Sequence, residues 1–254
     1  MEFLDLVVED RIAHVRLNRG RSNAMNATLI AELKGLLDQL DDDPAVAGMV
    51  LHGKEWFFIS GLDLIELYGL DEQQVRQFWI DFIGLVRRFV SFSKPSVAAV
   101  SGHSPAGGCV LAICCDYRVM AEGDFVIGLN ELPVGIVVPE AIFHLYSFWV
   151  GQANAYRNLM EGRLLSPSEA LGMGLVDEVV PGDALVSRAE KQLRKYIQLE
   201  PTTWKISKLN LRKGLISAFS GDQEEDIEAI LKQWWAPATR AILKAIIDNL
   251  TSRK

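Results

Sequence analysis

Apolar and polar residues alternate along two short segments at the start of the chain, Glu2 to Val8 and Arg11 to Leu17. A period of two around the turn residues Glu9 and Asp10 predicts a β-hairpin. The period then lengthens. Leu29, Leu33, Leu36, Leu37 and Leu40 recur at helical spacing, which predicts a helix over Ala27 to Leu40, ended by Asp41 to Pro44. Val46 to His52 is apolar enough for a buried strand. A loop from Gly53 to Ser60 leads into GLDLIEL, and an amphipathic helix runs from Glu72 to about Ser93, where Pro95 stops it. Ser96 to Ser101 is a further buried strand, Pro105 to Cys115 an apolar helix, and Tyr117 to Ala121 and Phe125 to Ile127 short strands. Beyond about residue 136 helical patterns dominate, over Ser187 to Leu199, Thr202 to Ala218, Asp222 to Trp235 and Pro237 to Leu250, apart from Leu175 to Val180.

Strands that alternate with helices and give way to helices alone imply a layered α/β core. No repeat or low-complexity linker interrupts the chain, so residues 1–200 are expected to form the core and residues 201–254 a helical extension of the same unit. With 254 residues, 49% of them hydrophobic, a full-sized core is available. The net charge of −7 repels polyanions and excludes nucleic acid as the main partner. No apolar run is long enough to cross a bilayer. Cys109, Cys114 and Cys115 lie in one apolar stretch and are odd in number, which suits buried free thiols in a reducing compartment. The first residues enter a strand pattern at once, without a basic leader or an apolar signal core, and a cytoplasmic protein is expected.

Three stretches carry chemistry. In AVSGHSPAGGCVLAICCDYRVMA a strand passes through small residues into a helix, and Gly107 and Gly108 stand where that helix begins. N–H groups there are unpaired and close to any ligand, and they stabilise a negatively charged oxygen together with the helix dipole. A glycine pair can equally serve strand–helix packing alone. In FFISGLDLIEL a second Ser-Gly turn enters a short helix and puts the Leu62 N–H in a similar situation. In DFVIGLNELPVGI, Glu131 stands among Leu129, Asn130, Leu132, Pro133 and Val134. Desolvation in such surroundings raises a carboxyl toward the neutral range of a general base, whereas a solvent-facing loop carboxylate is the plainer alternative. The four histidines are dispersed and give no metal-ligand spacing. Ser60 and Ser104 lack the context of a hydrolase nucleophile. Neither a metal nor a cofactor is expected. Phe78, Trp79, Phe82, Phe89 and Phe92 share helical spacing and suit core or the wall of an acyl tunnel, and Trp234 and Trp235 suit either a subunit contact or packing within the chain.

The stretches LNRGRSNAMNATLIAEL, FFISGLDLIEL, SGHSPAGGCVLAICCDYRVMA, IGLNELPVGI and GRLLSPSEALGMGLVDEVVP, in this order, resemble the enoyl-CoA hydratase/isomerase family, the crotonase superfamily, over most of the chain. The resemblance implies a crotonase-like ββα spiral core with a helical C-terminal oligomerisation region, and a homotrimer or dimer of trimers acting on an acyl-CoA. It implies oxyanion-binding N–H groups at Leu62 and Gly107, and a catalytic carboxylate at Glu131. Ser60, Gly61, Asp63 and Leu64 would line the CoA side, and Asn130 would lie near the acyl group or thioester. Arg21, with Arg19, Lys205 and Lys208, is a candidate for CoA phosphates, and Gly20 replaces the family's proline after LNR.

Family hydratases carry two glutamates, but Val110 occupies the first of those positions here and only Glu131 remains. Adding water across a double bond requires a positioned water and a proton donor, and valine supplies neither. Moving a double bond needs one base that reaches two carbons. The wording PAGGC followed by GLNE is similar to the mitochondrial-type 3-enoyl-CoA to 2-enoyl-CoA isomerases, and an isomerase is therefore expected. A hydratase or other lyase of the superfamily is the alternative, and a catalytically silent acyl-CoA binder is the alternative of another class.

Overall fold

The computed structural model describes residues 1–252. The hairpin pairs β1 (Leu4–Glu9) with β2 (Ile12–Leu17) antiparallel, Leu4 opposite Leu17 and Glu9 opposite Ile12. Its turn is therefore Asp10–Arg11, one residue later than the sequence pattern suggests. Both residues take positive φ, 48° and 67°, as a two-residue hairpin turn matched to strand twist requires. Then come α1 (Ala27–Asp42), β3 (Gly48–His52), β4 (Trp56–Phe57), the short α2 (Leu64–Tyr68) and the long α3 (Glu72–Val90). Next, β5 (Ser96–Val100) and β6 (Gly102–Pro105) run into α4 (Gly107–Cys114), and the chain returns through β7 (Tyr117–Ala121) to β8 (Ile127–Gly128). The helices α5 (Glu140–Val150), α6 (Gln152–Glu161) and α7 (Pro167–Met173) precede β9 (Glu178–Val180). Five helices finish the chain: α8 (Leu185–Ile197), α9 (Pro201–Leu211), α10 (Lys213–Ala218), α11 (Glu224–Trp234) and α12 (Pro237–Thr251).

Six strands form one sheet in the order β1-β2-β3-β5-β7-β9, parallel from β2 onward, and β4-β6-β8 form a second parallel sheet. Each successive pair, β3/β4, β5/β6 and β7/β8, gives one strand to each sheet, which is the repeating step of the spiral. Both faces of the larger sheet are covered at its centre, so β3 and β5 are buried nearly throughout instead of alternating, whereas the edge strand β1 is largely exposed. Ile12, Val50, Val97 and Val119 face α8 through Leu185, Ala189 and Leu193. Val15, Leu51, Ala98 and Met120 face the main core with α1, α3 and α4. That core continues without a break into Leu215, Ile230, Trp234 and Leu243 of the C-terminal helices. Trp234 is thus packed within its own chain. No helix among the described residues is long and apolar enough to cross a membrane.

Every residue of α4 is buried. A helix buried all round has no water for its terminal N–H and C=O groups, so each needs a protein partner. At the C-terminal end the partners are present. Cys115 N–H donates to Ala112 O, Trp149 Nε1 to Ile113 O at 2.8 Å, and Arg212 Nη1 to Cys114 O at 2.7 Å. Arg212 also pairs with Asp116 at 3.0 Å, and Lys208 reaches the same carboxylate at 2.7 Å. This inward reach breaks what the sequence suggests is one helix over Thr202 to Ala218. Arg212 leaves helical geometry at φ −94°, ψ 5° and separates α9 from α10. Arg212→Met leaves Asp116 short of a partner, the Cys114 carbonyl uncapped in the interior and the Cys115 carbonyl with Arg118 alone, and it is expected to cost about 3–5 kcal/mol in urea unfolding.

Candidate active site

Two turns approach each other at the N-terminal end of α4. In the first, Met25 N–H donates to Gly61 O at 2.8 Å and Asp63 N–H to Met25 O at 2.8 Å. The residue between these two bonds, Leu62, turns its own N–H to the opposite side, as a parallel ladder dictates. That N–H donates to no acceptor among the described residues. Gly61 has φ +99°, open to glycine, which bends the chain so that Leu62 reaches this position. In the second turn Ala106 takes φ 50°, ψ −122°, a conformation ordinarily left to glycine and costing an alanine about 1–3 kcal/mol. It is held by its own N–H donating to Gly128 O at 2.7 Å. The next N–H, at Gly107, is the first of α4 and has no acceptor within the helix. A Cβ built on Gly61 would lie 3.5 Å from Ala106 Cβ, so the two turns are in contact. Gly108 permits the approach, since a Cβ there would meet Ile59 O at 2.2 Å.

These turns border a cavity of about 690 Å³, counting the space open to solvent. Its other walls are Trp79 and Phe82 from α3, Val110 from α4, and the stretch from Val134 through Pro139 to Ile142. Among the described residues lining it, Glu131 alone is ionisable. Its Oε2 is buried with no hydrogen-bond partner. Removal from water raises the carboxyl from 4.5 to about 7, opposed only by a hydrogen bond from its own N–H. The backbone at Glu131 opens a single 3-10 turn, with Val134 and Ile136 N–H both donating to its carbonyl.

Of the residues singled out from sequence, Glu131, Asn130, Leu62, Gly107, Ser60, Gly61 and Leu64 are brought to this cavity. Ser60 is tied to the loop before α1 through Ser22, by N–H to carbonyl and hydroxyl to hydroxyl, each at 3.0 Å. Asp63 does not line the cavity. It caps α2 through Glu66 N–H and pairs with Arg19 at 2.7 Å, so both side chains are committed to structure, contrary to the sequence expectation. Lys208 is likewise withdrawn from any phosphate, because Asp116 and Lys94 O hold its buried ammonium. Arg21 is exposed and outside the lining, and Lys205 lines a different hollow beside Lys94 and Trp204. His103 stacks between Phe57 and Phe125 at 5.4 and 5.3 Å. Among the described residues no group of three or more His, Cys, Asp or Glu side chains is placed to hold a metal ion.

The family model for enoyl-CoA hydratase/isomerase matches residues 8–231. The chain belongs to that family. Mouse mitochondrial enoyl-CoA delta isomerase 1 is 35% identical over 96% of this chain and 85% of its own length. A probable enoyl-CoA hydratase of Rhizobium meliloti is 36% identical over 74% of each chain. The crystal structure of human mitochondrial delta3-delta2-enoyl-CoA isomerase superposes with a TM-score of 0.95 at 26% identity and covers 99% of both chains. The fold is accordingly the crotonase-like spiral with its helical C-terminal region.

Within this family site, sequence reasoning missed two kinds of residue. Ala106 carries no signal as a residue type, because its role is a backbone angle. The segment Ile136 to Pro139 supplies much of the apolar wall that desolvates Glu131, whereas Leu132 and Pro133, its neighbours in sequence, are exposed. The run GIVVP after Glu131 was the available signal.

The raised carboxyl fixes a stability trend. The folded state holds the Glu131 proton more tightly than the unfolded chain, so the stability linked to this group is complete below pH 4.5 and lost as pH rises through about 7. Glu131→Gln has no charge to bury. It is expected to exceed the parent by about 3 kcal/mol above pH 7, the gap closing in acid, as read from urea unfolding across pH.

Proposed function

We propose that the protein is an acyl-CoA double-bond isomerase that converts 3-enoyl-CoA to 2-enoyl-CoA with Glu131 as the shuttling base. The observation that carries this reading is the carboxyl of Glu131, raised to about 7, in a cavity whose other walls offer no second acid among the described residues. The thioester oxygen lies between the Leu62 and Gly107 N–H groups. The Glu131 carboxylate takes a proton from the carbon next to the thioester, and the electron pair moves through the carbonyl to give a dienolate. The two N–H groups stabilise the negative oxygen, which in a water-poor site is worth far more than in solution. Glu131 then returns the same proton two carbons further along, leaving the double bond at the 2-position. No metal or cofactor takes part. Asn130 lies on the cavity wall next to the base and orients the acyl group, and Ser60, Gly61 and Leu64 flank the thioester on the CoA side.

A carboxyl that titrates at about 7 is divided between acid and base near neutrality, which suits a group that must both take and give a proton. A homotrimer or dimer of trimers belongs to the same reading, since Leu199, Ile206 and Leu211 expose apolar side chains on the C-terminal helices and the loop before them. So does a cytoplasmic, reducing setting for the three buried free cysteines.

The relative named a probable hydratase keeps a second reading in view, hydration with Glu131 and an unlike partner. Incubating 2-enoyl-CoA in labelled water separates the two: little 3-hydroxyacyl product is expected, and substantial label at that carbon replaces the isomerase reading. Glu131→Gln is expected to lower kcat on 3-enoyl-CoA by about 10²–10⁴-fold with CoA-ester binding retained. Full turnover by that variant would falsify the shuttle, and absence of any turnover on 3-enoyl-CoA in the parent favours a silent binder. The pH profile of kcat/KM is expected to rise toward about 7, where the base ionises, and to level above it.

A further inference from the structure

The inner wall of the active-site cavity is also the wall of a second one. Ile136, Val137 and Val138 line both, and behind them lies an apolar hollow of about 890 Å³ bounded by Phe143, Leu159 and Met160. The dividing segment consists of these three residues, which alone among the described residues are shared between the two linings. Gly135 is fixed at its start, where φ is +77° and its carbonyl accepts from Thr239 Oγ1 at 3.4 Å. Pro139 is fixed at its end, where its carbonyl accepts from Ile142 and Phe143 N–H as α5 begins. Between them the N–H groups of Val137 and Val138 donate to no acceptor among the described residues, and both side chains are half-buried. The strap is therefore held at its ends, by Ile136 N–H donating to Glu131 O, and otherwise by side-chain packing.

Among the described residues no charged side chain lines the second hollow, and Tyr156 and Met160 leave apolar surface open to water, 62% and 57% exposed. A neutral hydrocarbon passing from the first cavity would cover that surface. We propose that the two cavities form one acyl channel partitioned by this strap, and that Val137 and Val138 determine how long an acyl chain is accepted. The distal methylenes of long chains lie beyond the strap against Phe143 and Met160, and short chains end in front of it. This inference rests on the acyl-CoA isomerase reading and adds its substrate class, long-chain 3-enoyl thioesters.

The test is kcat/KM for parent, Val137→Phe, Val137→Ala and Met160→Asp on 3-enoyl-CoA esters from hexenoyl to tetradecenoyl, with sedimentation of each variant alongside. Each methylene buried beyond the strap is expected to raise kcat/KM by about fourfold in the parent. Val137→Phe and Met160→Asp are expected to lower the tetradecenoyl-to-hexenoyl ratio by about tenfold or more, and Val137→Ala to raise it. Met160 is largely exposed, so its variant keeps the test open if the bulky substitution misfolds. A ratio unchanged in the folded variants overturns the inference while short-chain turnover upholds the isomerase reading. A uniform loss at all lengths accompanied by dissociation assigns the second hollow to contact between copies and likewise overturns it. Absence of turnover on every ester in the parent overturns the isomerase reading itself, and this inference with it.

Discussion

The structure depends on the burial of one short helix. Because α4 is apolar on all sides and closed off from water, the polar groups at its two ends cannot be left to solvent. The C-terminal end is satisfied from within by Trp149 and Arg212. The N-terminal end is not, and its free Gly107 N–H borders the cavity. An acceptor for that N–H has to come from whatever occupies the cavity. The strain at Ala106 persists because the packed helix behind it and the Gly128 carbonyl beside it leave that residue no alternative.

The same absence of water sets the chemistry of the carboxyl. Glu131 is raised by the loss of hydration and not by a neighbouring acid, so its affinity for protons depends on the apolar segment from Val134 to Ile142. That segment therefore tunes the carboxyl as well as shaping the cavity. Any change that admits water there returns the carboxyl toward 4.5 and makes it a weaker base. Val110 contributes in the same sense: a second carboxylate at that position would bring charge into a wall that is now apolar.

Much of this was legible in the chain because local patterns carry it. The leucine spacing of α1, the first hairpin and the Ser-Gly and Gly-Gly turns depend on neighbours a few residues apart, and these elements form within a residue or two of where the patterns place them, whereas the strand expected over Phe125 to Ile127 forms at Ile127–Gly128. What was hidden depends on contacts distant in sequence. The second sheet is built from strands of two to four residues, too short to show a period. Asp63 and Lys208 looked free because their partners, Arg19 and Asp116, are 44 and 92 positions away. The break between α9 and α10 answers to carbonyls of α4 nearly a hundred residues upstream. Glu131 was singled out by its resemblance, but the wall that raises its carboxyl is the following irregular segment, which no periodicity marks.

Arg212 carries one more consequence, for the order in which the protein is made. Chains emerge from the ribosome N-terminus first. Both turns, the carboxyl and the whole of α4 are synthesised long before the guanidinium that closes that helix from behind. Until then the carbonyls of Cys114 and Cys115 and the acid of Asp116 lack their permanent counterpart in the interior. A nascent chain can thus possess every group facing the cavity and still lack a settled centre, which is completed only as the last fifth of the polypeptide folds back.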